Sequence, residues 1–392
     1  MKDAIISVGL EIKNDKVRDE IRDIASSVQG FYVQNESDAG DCNILILEMG
    51  EDFKKDCQLV NKLLCSGSVK DIFLVSSCVE SEVLLQAMRS GAREFFPLPL
   101  KKEELVSAFL KFKERNKNLA FREKSRKKGT IINIVGSKGG IGTTTIAVNF
   151  ATCLHELMGS RKSVALIDMN LLFGEVPLFL DIEPVFNWGE VVKNISRLDS
   201  TYLMSILSKH HSGVHVLPSP TRLDGVTTAT PGIIERLLHF MQNEFDYIVI
   251  DSGQSLNELS LKVLELSDTV LINAILSLPC LINVRRLMET FKKVGYPSDN
   301  NVRVIINRYQ KNSVISLKEA EKGIEKRIFW QIPNDFHTTI SAINQGKTLA
   351  AVAHKADITQ NITELVSKIT QMADTQKAKK GIMGWQFMEA KT

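Results

Sequence analysis

"GTIINIVGSKGGIGTTTIAVNF", residues 129–150, is the stretch that decides the fold. Its opening run, Ile131–Val135, is apolar and rich in β-branched residues, which predicts a buried strand. A helix is expected to begin near Thr143. Between them Gly139, Gly140 and Gly142 let successive backbone N–H groups point inward where a Cβ would block the approach. The positive end of the helix dipole adds to that, so the turn suits anionic phosphate. Thr144 follows at the place of the hydroxyl residue that ligates Mg²⁺ in phosphate loops. Two positions depart from the common G-x-x-x-x-G-K-[ST] pattern: Ser137 replaces the first glycine and Thr143 replaces the lysine. Taken alone, the stretch is equally readable as a glycine-rich strand-to-helix turn with no ligand.

Its neighbours favour a ligand. "SVALIDMN" and "FDYIVIDSGQS" are apolar strands ending in Asp168 and Asp251. A parallel sheet that delivers carboxylates at its C-terminal edge puts them where such folds bind ligands. Asp251 has the position of the acid that holds Mg²⁺ beside a phosphate loop. Two further strands follow, "DTVLINAI" and "VRVIINRY", the second delivering Asn307 and Arg308. An asparagine amide at that edge offers a donor and an acceptor for an adenine ring. A lone strand-end aspartate is often only a cap; a loop and two such strands in order are harder to reach by chance.

The stretch "SKGGIGTTT" resembles the deviant Walker-A loop of the MinD/ParA ATPases, K-G-G-x-G-K-[ST]-[ST]. Within that group "LIDMNLLFGEVPLFLDIEP", "IINRYQKNSVISL" and "IPNDFHTTISAINQGKTL" resemble the pilus-assembly family called CpaE or TadZ, with motifs in register from Gly136 to Leu349. That family joins an atypical receiver domain to a MinD/ParA-like ATPase domain. The resemblance implies roles for particular residues. Lys138 reaches across a nucleotide-sandwich homodimer to the partner's phosphates, and Asp168 stands near the γ-phosphate and its attacking water. Gly139, Gly140, Ile141, Gly142, Thr143, Thr144 and Thr145 wrap the ATP phosphates, and Thr144 and Asp251 hold Mg²⁺. Asn307 reads adenine with Arg308 beside it, and Pro333 and Asp335 lie near the base.

Two departures count against fast hydrolysis. Thr143 stands at the family's second lysine, and Asn170 at the second acid of its D-x-D motif. A charge-assisted hydrogen bond contributes about 1.5–3 kcal/mol, a neutral one about 0.5–1.5. Losing the lysine therefore costs about 1–2 kcal/mol, roughly tenfold in triphosphate affinity. Turnover suffers more, because charge builds on the phosphoryl oxygens in the transition state. The expectation is retained binding with slow turnover, a weak ATPase at most.

The first 120 residues alternate strand-like runs ("AIISVGL", "FYVQ", "NILILEM", "DIFLVSS", "REFFPL") with amphipathic stretches, which predicts a parallel sheet covered on both faces. That order resembles a receiver domain; an unrelated flavodoxin-like domain is the alternative. Receiver chemistry is missing: Glu11 stands alone after the first strand, Glu48 is near the phosphoacceptor position, and Leu98-Pro99 replaces Lys-Pro. Ser76 matches the hydroxyl residue of strand four. The domain is read as unphosphorylated and partner-binding.

The fold expected is α/β throughout, a receiver-like parallel-sheet domain at 1–118 and a MinD/ParA-like P-loop domain at 130–376. A basic linker at 119–129 and a basic/apolar tail at 377–392 complete the division. Residues 111–128 carry nine Lys or Arg against two Glu. The run reads as a solvated helix end and spacer in preference to a nucleic-acid or lipid contact. In the tail, Lys377, Lys379 and Lys380 precede Ile382, Met383, Trp385, Phe387 and Met388, an order suited to an anionic membrane surface; a free tail or docking peptide is the other reading.

At 392 residues the chain has length for two domains, and 44% hydrophobic with 24% charged residues is ordinary for a globular protein. A net charge of +3 does not announce a nucleic-acid binder, so DNA is an unfavoured partner. The six cysteines and the adjacent His210 and His211 form no metal-ligand pattern. No run of about 18 apolar residues predicts a membrane span. The expected protein is cytoplasmic, peripheral at the inner membrane or a cell pole. It acts as an ATP-dependent homodimeric localisation factor that recruits secretion machinery for type IVb (Flp/Tad) pili. A ParA-like DNA-partition role is the alternative.

Overall fold

A computed structural model describes residues 5–34, 42–50, 52–66, 68–78, 80–125, 128–170, 174–195, 198–220 and 229–372. The tail expected at 377–392 lies outside the described residues. The chain divides into two compact units, Met1–Lys127 with Asn194–Asp199, and Lys128–Lys193 with Ser200–Thr392.

The first unit is built on five parallel strands: β1 (Ile6–Glu11), β2 (Phe31–Val33), β3 (Cys42–Glu48), β4 (Val69–Ser76) and β5 (Glu94–Pro97), in the order β2-β1-β3-β4-β5. This is the flavodoxin-like doubly wound order, shared with receiver domains. Because side chains alternate along a strand, each sheet face receives its own apolar set. Ile44, Ile46, Phe73 and Val75 pack on one side with Phe109 and Phe112; Leu45, Leu47, Ile72 and Leu74 pack on the other with Val60 and Leu64. The helix that closes the unit runs Lys102–Ser125, through most of the segment read as linker. It has no reason to stop earlier: from Lys102 to Lys128 there is no Gly or Pro, and Gly129 is the first breaker.

Two of the positions compared with a receiver are engaged by backbone N–H groups among the described residues. The Glu48 carboxylate accepts the backbone N–H groups of Lys13 and Asn14 at 2.7 and 3.1 Å, so one oxygen is already occupied as a loop cap. The Ser76 hydroxyl accepts from the Cys78 N–H at 3.1 Å.

The second unit has eight strands: β6 (Thr130–Gly136), β7 (Val164–Asp168), β8 (Ser208–Lys209), β9 (His215–Leu217), β10 (Tyr247–Asp251), β11 (Thr269–Ala274), β12 (Val302–Tyr309) and β13 (Ile328–Pro333). Their order is β13-β12-β11-β6-β10-β7-β9-β8, parallel except for the β8–β9 pair. Strands β6, β7, β10 and β11 are buried at every position, as a sheet covered on both faces requires. Each fully buried Ile, Val or Leu contributes about 1.5–3 kcal/mol, so the centre of this sheet is the stable platform of the unit. Helix Thr143–Met158 packs on one face, with the helix at residues 357–372; helices Glu258–Leu266 and Leu278–Val294 pack on the other. The strand order changes direction of winding beside β6, and the glycine-rich loop leaves the sheet there.

Candidate functional site

The loop 137–142 connects β6 to helix Thr143–Met158 and is held on its outer side by the ends of two neighbouring strands and by helix Leu278–Val294. Asn307, at the end of β12, donates its amide to the Ile141 carbonyl at 2.8 Å. Arg308 donates to the Gly140 carbonyl at 2.8 Å. Asn273, at the end of β11, donates to the Thr143 hydroxyl at 3.2 Å. The Ser137 N–H reaches the Asn273 carbonyl and its own carbonyl accepts from Asn283, both at 2.9 Å. With the carbonyls of 140 and 141 turned outward, the N–H groups of Gly139, Gly140, Gly142, Thr143 and Thr144 have no acceptor among the described residues. Gly140 and Gly142 take φ of +73° and +91°, a left-handed backbone that glycine adopts without Cβ strain. Nothing lies within 4 Å of where a Cβ on Gly140 would stand. A concave run of free N–H groups at a helix N-terminus is an anion cradle.

Strands β7 and β10 bring Asp168 and Asp251 into direct register, so both carboxylates leave the same sheet face at one level. Both residues are fully buried. Asp168 is occupied: its two oxygens accept the N–H groups of Asn170 and Val176 at 2.9 and 3.3 Å. Burial first, and the neighbouring Asp251 second, push its pKa up to about 7 against the pull of those N–H groups. Burial also raises Asp251, opposed by the Thr144 hydroxyl beside it and by the Gly253 N–H. Asp251 Oδ2 has no hydrogen-bond partner of ordinary geometry, in a place where no water-exposed surface reaches it. A buried carboxylate oxygen left over next to a threonine hydroxyl and a phosphate cradle is what a divalent cation would satisfy. Among the described residues no cluster of three His, Cys, Asp or Glu could hold a metal by itself. An ion at Thr144 and Asp251 would therefore complete its shell with water and phosphate oxygens, as Mg²⁺ commonly does.

The remaining residues singled out from sequence are found as follows. Lys138 is exposed on the loop and makes no ion pair or hydrogen bond among the described residues. Thr143 is buried and turned to the floor of the loop, where its hydroxyl sits against Gly136. Thr145 is buried in the first turn of the helix, and its carbonyl accepts from Asn149. Asn170 stands two residues after Asp168, with its side chain beside Gly253. Pro333 ends β13 opposite Tyr309. Asp335 caps helix Phe336–Asn344 by accepting the Thr338 N–H at 3.0 Å. Three members of the site were not foreseen. Asn273 braces the loop from β11, Asn283 donates to the Ser137 carbonyl, and Gln254 lies against Gly139. The signal for Asn273 was available: "LINA" at 271–274 and "IINR" at 305–308 end two adjacent strands with the same Ile-Asn pair.

A phosphate loop, paired strand-end carboxylates and this strand order define a P-loop nucleotide-binding fold of the ParA/MinD type. Comparison with known proteins agrees. Residues 129–304 match a family model described as an AAA domain. The chain is 24% identical over 250 residues to the septum site-determining protein MinD of Thermotoga maritima, covering 62% of this chain and 88% of that one. It superposes on a ParA family ATPase from Chlorobium tepidum with a TM-score of 0.58 at 26% identity, covering 60% of this chain and 98% of that one. A MinD of Pyrococcus horikoshii, solved in complex with Mg-ADP, shares the fold with a TM-score of 0.53 at 21% identity, covering 62% and 97%. Together these support assigning the second unit to the MinD/ParA superfamily.

Proposed function

We propose that the protein is an ATP-binding localisation and assembly factor of the CpaE/TadZ type, a dimeric switch or scaffold for type IVb pili with slow hydrolysis. One observation carries the nucleotide part of this reading. The buried Asp251 has an unsatisfied carboxylate oxygen beside Thr144 and beneath a loop of unpaired N–H groups. Mg²⁺ with a nucleoside triphosphate would satisfy all three at once. When bound, it would supply charge neutralisation on the phosphoryl oxygens. The chain's own part is to cradle the phosphates through Gly139–Thr144, to orient the ion with Thr144 and Asp251, and to keep Asp168 near the terminal phosphate. Thr143 and Asn170 remove a cation and a carboxylate from that apparatus, which favours a long-lived bound state.

The homodimer part rests on the surface around the loop. Leu178, Val185, Phe186, Leu256, Leu278 and Ile282 are exposed in the segments that follow β7, β10 and β11, Val185 at 83%. Apolar side chains at the C-terminal edge of the sheet suit a second subunit closing over the nucleotide, with Lys138 reaching the partner's phosphates. The pilus reading rests on the motifs at 166–184, 305–317 and 332–349 and on the 2-1-3-4-5 unit preceding a P-loop domain. In that unit Glu48 is spent as a loop cap, which favours partner binding over phosphoryl relay. The expected partners are the secretion ATPase or inner-membrane platform of the pilus machine, met at the inner membrane or a cell pole. No helix among the described residues is long and apolar enough to cross the membrane, so attachment there would be peripheral.

Titration with a fluorescent ATP analogue and Mg²⁺, followed by light scattering, tests the reading. Saturable, Mg²⁺-dependent binding with a rise to dimer mass is the expected result. Absence of binding at millimolar nucleotide would leave a scaffold without a switch. Salt-sensitive retention on duplex DNA of any sequence would shift the reading to DNA partition.

A further inference from the structure

The loop lacks its lysine, yet a second cation lies on it. Thr143 is 8% exposed and its hydroxyl is directed to the floor formed by β6 and β11, where Asn273 donates to it and Gly136 leaves room for it. Its side chain brings neither charge nor donor to the phosphate side. Arg308 reaches the same loop from β12. One of its guanidinium N–H groups donates to the Gly140 carbonyl at 2.8 Å. The side chain has no other hydrogen bond or ion pair among the described residues, which leaves four of its five N–H donors uncommitted.

The backbone is arranged to deliver it. Along β12 the pairing with β13 slips between Val304 and Ile305 and again between Ile306 and Tyr309, and across the second slip Asn307 and Arg308 leave the ladder as a bulge. Arg308 takes φ of +52°, a left-handed conformation that disfavours a residue with a Cβ. Its own N–H is then satisfied by the Asn307 side chain at 2.9 Å instead of by a strand neighbour. Bulges beside functional sites re-aim a side chain, and strain of this sort persists where the surroundings impose it. Here the re-aimed group is a permanently charged fork tied to the Gly140 carbonyl of the anion-cradle loop, and arginine is the residue type suited to phosphate.

We propose that Arg308 supplies, from within the same subunit, the positive charge on the phosphates of a bound nucleoside triphosphate that Thr143 cannot supply. The inference rests on the nucleotide-binding reading above. It distinguishes Arg308 from Lys138, whose charge the family resemblance sends to the other subunit. It also separates the two jobs a phosphate-loop lysine combines: Asn273 and Thr143 brace the loop, and Arg308 carries the charge.

The test uses the full-length protein and three ligands, ATP and ADP with Mg²⁺, and adenosine. Arg308→Gln is expected to weaken ATP binding about tenfold, the size of replacing a charge-assisted contact by a neutral one. Adenosine binding should change by less than about twofold, and the salt dependence of ATP binding should flatten. Arg308→Lys should keep most of the ATP affinity. Thr143→Lys placed on Arg308→Gln should recover the loss, while Thr143→Lys in the wild type gains less, because the charge is already present. Equal losses of ATP and adenosine would mean that Arg308 only braces the loop, and would overturn the inference. So would an unchanged ATP affinity in Arg308→Gln, or the same gain from Thr143→Lys in both backgrounds. A wild type that binds no Mg-ATP defeats the nucleotide reading itself, before any variant is made.

Discussion

At the scale of single residues, the paired aspartates decide how the protein behaves without ligand. Asp168 has a pKa of about 7 in the folded protein against an ordinary 3.8, because burial and Asp251 both oppose its charge. Between those values the folded state holds the proton more tightly than the unfolded chain, so this group's contribution to stability falls as pH rises from 3.8 to about 7. His210 works in the opposite sense. Burial lowers it from 6.5 to about 4, so its contribution is lost as pH falls through that range. A difference measurement separates them. Asp168→Asn should melt a few degrees higher than wild type at pH 8, on the order expected for 1–2 kcal/mol, with the gain vanishing near pH 4. Thermal melts across pH 4–8 check this, and a variant that melts lower at pH 8 contradicts the assigned penalty. Asn273→Ala removes the donor to Thr143 and should cost about 1–2 kcal/mol of stability together with ATP affinity. Denaturant melts and nucleotide titration measure both, and an unchanged melt would remove Asn273 from the bracing role.

Elements were legible in the sequence to the extent that their burial was uniform. Strands β6, β7, β10 and β11 read directly as continuous apolar runs because both faces are covered, and their last residues therefore announced the site. The edges did not read so well. β13, "IFWQIP", is only partly buried along most of its length, and β8 and β9 are two and three residues long, too short for periodicity. Side-chain partners were less legible still. The place of Asn307 at a strand end was clear, but its hydrogen bond to Ile141 depends on the bulge in β12, which no local pattern encodes. Likewise Glu48 could be read as a displaced phosphoacceptor, whereas its use as a cap for residues 13 and 14 needs the β1–β3 pairing. That use makes a prediction at this scale. Glu48→Gln should lower the stability of the first unit by about 1 kcal/mol, since a charged acceptor becomes neutral. Incubation with a small phosphodonor should label neither protein; transfer to the wild type would restore a relay role.

In the whole molecule a glycine-rich cradle of unpaired N–H groups is combined with Thr143 and Asn170 at two positions where a lysine and an acid were expected. Lys138→Ala should leave nucleotide affinity of the monomer within about twofold while removing nucleotide-dependent dimerisation, because its ammonium has no partner among the described residues of its own chain. Analytical ultracentrifugation with and without Mg-ATP measures this, and a variant that still dimerises would locate the interface elsewhere. The central claim is narrower: the site binds Mg-ATP and turns it over slowly. The most direct measurement is a single preparation assayed for Mg²⁺-dependent ATP binding at equilibrium and for phosphate release. Submillimolar binding with turnover below the 1–10³ s⁻¹ common for enzymes is the predicted result. Binding that is absent, or turnover well within that range, would contradict it.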